Sequence, residues 1–532
     1  MGVARSKTLT LARSPAIARH AVACVCFLVI LIGAQACRAR AQTSGAREHY
    51  EAGINAYQRG DLHLAEREFR AALKLQPGLL EARENLGITL GRLGELDAAR
   101  AELRKVLAAR PNSAGTHYNL GLVLLQKKDR ESAMREFRRA VELRPDYPEA
   151  QNNLGLLEEE ASDIAGARKA FEEVVQRQPR YAEARNNLGQ LLESLGETDR
   201  AIEQFRAALD ARPDFAQAHQ NLGLALWKKR DLSGAAAELR QAASLGLAEA
   251  LISLGVVLGE KGELDAAIAA HRQAVKLLPR DAQAHYLLGG GLQQKGDLDA
   301  AAPELRKALE LDPQLAPARV HLGVVLRQLG NLEESARELR TAAQLGPNSA
   351  EAHYQLGFTF RRQRELSLAA RELRRAIALQ ANYSEAYYVL GETLRQMANP
   401  EAQAAFAEFE RLRRADADFA EANTQYTLGL QNLEKGALPA ALEAFRRALA
   451  IEPDFAEAHT NLGGVLLKLG ETESAIGQFR AALDLRPDDA RAYYNLALAL
   501  ERKGDTINSR KARERALALD PRLAESESTS HP

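Results

Sequence analysis

The sequence predicts an all-α array of about fourteen antiparallel helix pairs, on three observations. A glycine recurs at Gly53, Gly87, Gly121, Gly155, Gly189, Gly223, Gly255, Gly289, Gly323, Gly357, Gly391, Gly429 and Gly463, with Ala497 in the fourteenth place. Eleven of the thirteen intervals are 34 residues; Gly223 to Gly255 is 32 and Gly391 to Gly429 is 38. A proline falls 24 residues after most of these positions, from Pro77 and Pro111 to Pro487 and Pro521. Composition is the third observation: 46% of residues are apolar but only 5% aromatic. Ala and Leu carry the burial, whereas strands favour β-branched and aromatic side chains. A period of this length marks small units stacked around a continuous core.

Taken in chain order, residues 1–41 read as a signal peptide or N-terminal anchor. Arg5, Lys7, Arg13 and Arg19 flank or precede an apolar run from Ala21 to Ile32, followed by Ala34-Gln35-Ala36 and Ala39-Arg40-Ala41. Such a layout is that of an export signal, and the run is shorter than the roughly 20 residues of a spanning helix. Cys37 follows Gly33-Ala34-Gln35-Ala36, which loosely resembles a bacterial lipobox, so a lipid anchor at Cys37 is the alternative. Export to the periplasm or the membrane surface is the expectation. Cys24, Cys26 and Cys37 are the only cysteines, so the array needs neither disulfides nor a thiolate metal site.

Residues 46–522 form the array. In the unit of Gly121, Leu120 and Leu124 share one helix face, Lys128-Asp129 interrupts, and Ala133, Phe137, Ala140 and Val141 follow at helical spacing. In other units the interruption is Gly60-Asp61, Gly94-Glu95 or Gly470-Glu471, where glycine can end one helix in a left-handed conformation and the acid suits the start of the next. The closing proline stops the second helix. A glycine inside a helix costs about 1 kcal/mol against alanine, so its recurrence calls for a packing reason. The small residue twelve positions on, such as Ala133 or Ala201, supplies one by letting the two helices approach.

Two junctions break the rule, one near Gly246 and one over residues 398–418, where the proline is absent from its usual place. Apolar periodicity continues through both, so altered stacking geometry is expected there rather than a free hinge. The last unit carries Ala497, Ser509 and Arg513 where others have glycine, alanine and Phe or Leu, as a solvent-facing cap would. The tail 523–532 is too polar to pack.

This pattern of leucine-glycine, later alanine, Phe or Leu, and closing proline resembles the tetratricopeptide repeat family. The resemblance implies a right-handed superhelical solenoid whose first helices line a concave groove that commonly binds peptides.

Several function classes are disfavoured. Lys+Arg and Asp+Glu are equal at 71 each, and without the six basic residues of the first 41 the remainder is mildly acidic. Nucleic-acid binding needs a basic excess. No HExxH, phosphate-binding glycine loop or Gly-x-Ser-x-Gly elbow occurs, so a non-enzyme without cofactor or metal is expected. His49, His117, His219, His285, His353 and His459 stand four residues before the glycine. Being on separate units, they read as packing sites between helices rather than metal ligands.

Candidate binding residues come from recurrence. Tyrosine stands three before the glycine at Tyr118, Tyr286, Tyr354 and Tyr388, and asparagine two before it at Asn119, Asn153, Asn187 and Asn221. The resemblance implies that these face the groove, and an amide can both donate to and accept from an extended peptide backbone. Four residues past the glycine stand Trp227, Arg327, Arg361 and Arg395. The three arginines, with Tyr354 and Tyr388, are expected to grip an acidic segment; Glu351 and Glu385 are the acids that would otherwise neutralise them. The function expected is a protein-interaction scaffold of the cell envelope. Its alternatives are an assembly factor for pilus or polysaccharide-secretion machinery, or a targeting partner of a separate glycosyltransferase.

Overall fold

A computed structural model of the protein describes residues 43–521 and 523. The segment 1–41, with Cys37, and the tail from 524 lie outside the described residues. Among the latter there are twenty-seven helices and no strand. The chain divides at Pro279–Arg280 into two units. In the first, helices alternate from 43–58 and Leu62–Leu75 to Ala250–Glu260 and Leu264–Leu277. In the second they run from Ala282–Lys295 and Leu298–Leu311 to Ala490–Lys503 and Thr506–Leu519. Within each, a first helix packs on the second helix of its own repeat, and that second helix on the next first helix.

The repeat of Gly121 shows how the sequence sets these boundaries. Ser113 caps the first helix, Ala114–Gln126, by accepting from the Thr116 amide, and Asp129 caps the second, Arg130–Leu143, through the Ser132 amide. Each satisfies a donor that helix geometry leaves unpaired. Between them Lys128 takes φ +62°, the left-handed turn that Gly94 makes in the preceding repeat at φ +82°.

The recurring glycine answers to a residue sixteen positions on. A Cβ on Gly121 would stand 2.6 Å from a ring carbon of Phe137; on Gly289 it would stand 2.7 Å from Leu305. Ala133 is fully buried beside this contact, so the small residue brings the helices together and the large one then occupies the glycine's missing side chain. The last repeat reverses both choices. Ala497 is tolerated where Arg513 turns away to Glu501, 3.0 Å off, and Ser509 donates to the Ala497 carbonyl at 2.9 Å.

The two irregular junctions differ. At the first, Gly246 adopts φ +96° and the chain enters a short helix, Ala250–Glu260. At the second, a single helix of 33 residues, Ala402–Glu434, runs through the place where a turn would join two repeats. Gly391 contacts Phe406 near its start, and Gly429 near its end contacts Phe445 of the next helix. It is the second helix of one repeat and the first helix of the next, fused.

Candidate binding face of the first helices

The tyrosine and asparagine positions meet each other across repeats. Asn85 Nδ2 donates to Tyr50 Oη at 3.3 Å, and Asn461 Nδ2 to Tyr426 Oη at 2.9 Å; Asn153 takes the equivalent place beside Tyr118. Where the earlier repeat carries asparagine instead, Asn187 donates to Asn152 Oδ1 and Asn221 to Asn186 Oδ1, both at 2.9 Å. His321 takes the equivalent place edge-on to Tyr286, at 5.4 Å between ring centroids. The repeat period plus one residue sets this rung, and a 34-residue alignment hides it. The amide hydrogens that were candidates for a ligand backbone are thus spent on neighbouring repeats. Each carbonyl oxygen has a second lone pair. Asn119, two before Gly121, makes no side-chain hydrogen bond among the described residues.

The tyrosines are half-buried between aromatic neighbours. Tyr118 packs on Tyr147 at 5.0 Å and Tyr354 on Tyr383 at 4.9 Å. Burial raises the phenol pKa of Tyr118, Tyr286 and Tyr354. Tyr388 is the open one: it rests on Phe406 and Phe409 and stays 45% exposed. Trp227 spends its indole N–H on Glu260, 2.9 Å away, a carboxylate it shares with Arg230.

The three arginines do not act alike, and neither Glu351 nor Glu385 pairs with them. Glu351 instead accepts from the Tyr383 hydroxyl. Glu392, beside the repeating Gly391, takes Arg361 at 3.3 Å and Arg395 at 2.6 Å. The acid was visible in the sequence, but only the helix rotation places it between both cations. Arg327 has no carboxylate partner among the described residues. It donates to the Gln355 carbonyl at 3.2 Å and lies 4.5 Å over the Phe358 ring. Burial pulls its pKa down to about 10, since desolvation disfavours the charged form. The group therefore offers one half-buried cation, Arg327, and two arginines that share the single carboxylate of Glu392, of which Arg395 is the exposed one.

The histidines form a rung of their own. His117 Nδ1 lies 2.6 Å from Glu136 and Nε2 3.0 Å from the Pro111 carbonyl; His219 repeats this with Glu238 and Pro213. Arg83 and Arg319 make the same two contacts as double donors. An imidazole meets both acceptors when both ring nitrogens carry hydrogen. Each such side chain ties the second helix of its repeat to the turn that precedes the first. His271 is different in kind: it fills the Phe or Leu site against Gly255, nearly fully buried, and burial pushes its pKa down. No group of three or more His, Cys, Asp or Glu that could hold a metal occurs among the described residues.

Sequence comparison agrees with this geometry. A tetratricopeptide repeat profile matches residues 50–114, 85–148, 118–182, 152–214, 187–250 and 252–316. Related repeat profiles match 323–363, 429–470, 465–504 and 490–523. The chain belongs to the tetratricopeptide repeat family. No curated protein matches it. Among solved structures it is similar to YrrB, described as a TPR protein with an unusual peptide-binding site. That match has 26% identity, covers 35% of this chain and 97% of the other, and has a TM-score of 0.32. It is also similar to the APC/C hetero-tetramer Cut9–Hcn1, at 16% identity, 90% and 94% coverage and a TM-score of 0.36. A MamA RS-1 double mutant matches at 24% identity, with 31% and 93% coverage and a TM-score of 0.29.

Proposed function

We propose that this tetratricopeptide array is a non-catalytic scaffold of the cell envelope that holds an extended segment of a partner protein along its first helices. Family membership supports the protein-interaction role. The observation that carries the finer reading is the residue set left over once the inter-repeat contacts are made. In the first unit Asn119 keeps its amide unspent; in the second, Tyr388 keeps ring surface and Arg395, beside Glu392, keeps most of its side chain toward solvent, while the second helices spend their large side chains on the core. Aromatic area with few rotatable bonds and a guanidinium able to grip carboxylates suit an acidic, extended ligand.

The envelope assignment rests on residues 1–41. Fractionation of a C-terminally tagged chain tests it: the tag should follow the periplasm or membrane, and full-length protein in the cytosol would overturn it. Loss of membrane association in Cys37→Ser would assign a lipid anchor. Co-purification then separates a general adaptor from an assembly factor of pilus or polysaccharide-secretion machinery, and from a partner of a separate glycosyltransferase. Arg395→Glu and Tyr388→Ala, both on exposed side chains, should weaken capture without loss of helicity.

A further inference from the structure

The fused helix leaves a surface open that the rest of the array covers. The leucine just before the repeating glycine is 1–8% exposed in twelve repeats, Leu390 and Leu462 among them, but Leu428 is 44% exposed. Leu390 is covered by Ala370 and Leu373 of the preceding second helix, and Leu462 by Ala441 and Phe445. Leu428 has no such cover because its preceding second helix is collinear with it. Residues 413–421, in the middle of Ala402–Glu434, are all exposed.

The sequence permits the fusion without forcing it, since Ala381 also stands in the proline's place and a turn still separates Leu366–Leu379 from Ser384–Gln396. Ala417-Asp418-Phe419-Ala420-Glu421-Ala422 repeats Pro453-Asp454-Phe455-Ala456-Glu457-Ala458 with alanine for the proline. In the later repeat that proline precedes the start of a first helix, Ala456–Lys468. Without it the backbone amide and the helical geometry are both permitted, and the helix continues.

We infer that two copies of this chain pair through Ala402–Glu434, antiparallel and about a two-fold axis near Asp416. One stripe along this helix is self-complementary. Positions 404, 407, 411, 414, 418, 421, 425 and 428 recur at alternating intervals of three and four, the spacing of a helix–helix seam, and all but the half-buried Gln425 are exposed. Antiparallel pairing centred on Asp416 sets Arg414 against Asp418, Arg411 against Glu421, and Ala404 against Leu428 of the second copy. The two-fold makes each contact twice. The stripe is basic on one side of its centre and acidic on the other, so parallel pairing sets like charges together. The same pairing lays the first-helix half of one copy on the second-helix half of the other, the antiparallel neighbours that a turn would have joined. Within the chain these charges have only exposed partners on the same helix, such as Arg411 with Glu408 at 2.8 Å.

A 33-residue helix is about 50 Å long, and a strip roughly 10 Å wide along two copies covers on the order of 1,000 Å², at the lower bound for a specific interface. Dimerisation should therefore be concentration-dependent and should weaken with salt.

Sedimentation equilibrium on the full chain, from about 1 to about 100 µM, where interfaces of this size assemble, should show a monomer–dimer equilibrium. Arg411→Glu with Arg414→Glu should raise the dissociation constant more than about tenfold, and so should Asp418→Arg with Glu421→Arg. An equimolar mixture of the two variants should regain the dimer mass, a result that misfolding cannot produce. Ala417→Pro, which restores the turn, should give a monomer of unchanged fold in hydrogen exchange of the flanking helices. A chain monomeric throughout, or a dimer indifferent to both charge reversals, would overturn the inference; binding of this stripe to an unrelated helix without self-association would equally do so.

Discussion

Adding one methyl group at Gly121 should weaken the repeat although it improves the helix. The new Cβ would lie 2.6, 2.8 and 3.0 Å from three carbons of Phe137, against the 3.5–4.0 Å of an ordinary contact. The ring must withdraw by about 1 Å, but it is fully buried and flanked by Tyr118 at 5.7 Å. Overpacking of this kind costs about 1–3 kcal/mol, and the helix propensity of alanine returns about 1 kcal/mol. The net for Gly121→Ala is a loss of about 1 kcal/mol, within 0–2. Removing the ring first should reverse the sign: in a Phe137→Ala background the same substitution should stabilise by about 1 kcal/mol, giving a coupling of about 1–3 kcal/mol. A repeat array need not unfold in one step, so the readout is native-state hydrogen exchange of Ala114–Gln126 and Arg130–Leu143. Additive substitutions, within about 0.5 kcal/mol, or a stabilising Gly121→Ala in the parent chain, would refute the ring as the reason for the glycine.

Three further outcomes follow from His271 and from the rungs. His271 is held below its ordinary imidazole pKa by burial, so the unfolded chain takes up the proton first. Stability should be whole above about pH 7 and fall below about pH 6.5, by up to about 1.4 kcal/mol per pH unit; His271→Leu should flatten that slope in pH-dependent denaturation. His117→Leu should cost about 1–3 kcal/mol by stranding Glu136, whereas His117→Arg should be near neutral by thermal melting, because Arg83 already makes both contacts one repeat earlier. Asn187→Ala should cost about 1 kcal/mol and couple to Asn152 in a double-mutant cycle, with no effect expected on distant repeats.

The paired helices were legible in the sequence because their signals are local. Gly94 at the turn, Asp129 at a cap and Pro145 after a second helix each act within a few residues of where they stand. What stayed hidden depends on rotation and reach. The ring of Phe137 answers Gly121 from the partner helix, and the rung from Asn187 to Asn152 crosses repeats one residue out of register. Glu392 lies between Arg361 and Arg395 only because all three share a helix face across two repeats. The fused helix carries Ala417 where a similar segment has Pro453, but the junction at Ala381 keeps its turn without a proline, so that absence did not distinguish a fused helix from a turn.

Capture of a partner by the first helices is directly measurable. A photo-reactive amino acid at Asn119, Tyr388 or Arg395, compared with the same group at Lys169 or Arg371 on exposed positions of second helices, tests it in cells. A cross-link to one partner protein is expected from the first-helix positions and none from Lys169 or Arg371. Cross-links arising equally or chiefly from the second helices would contradict it.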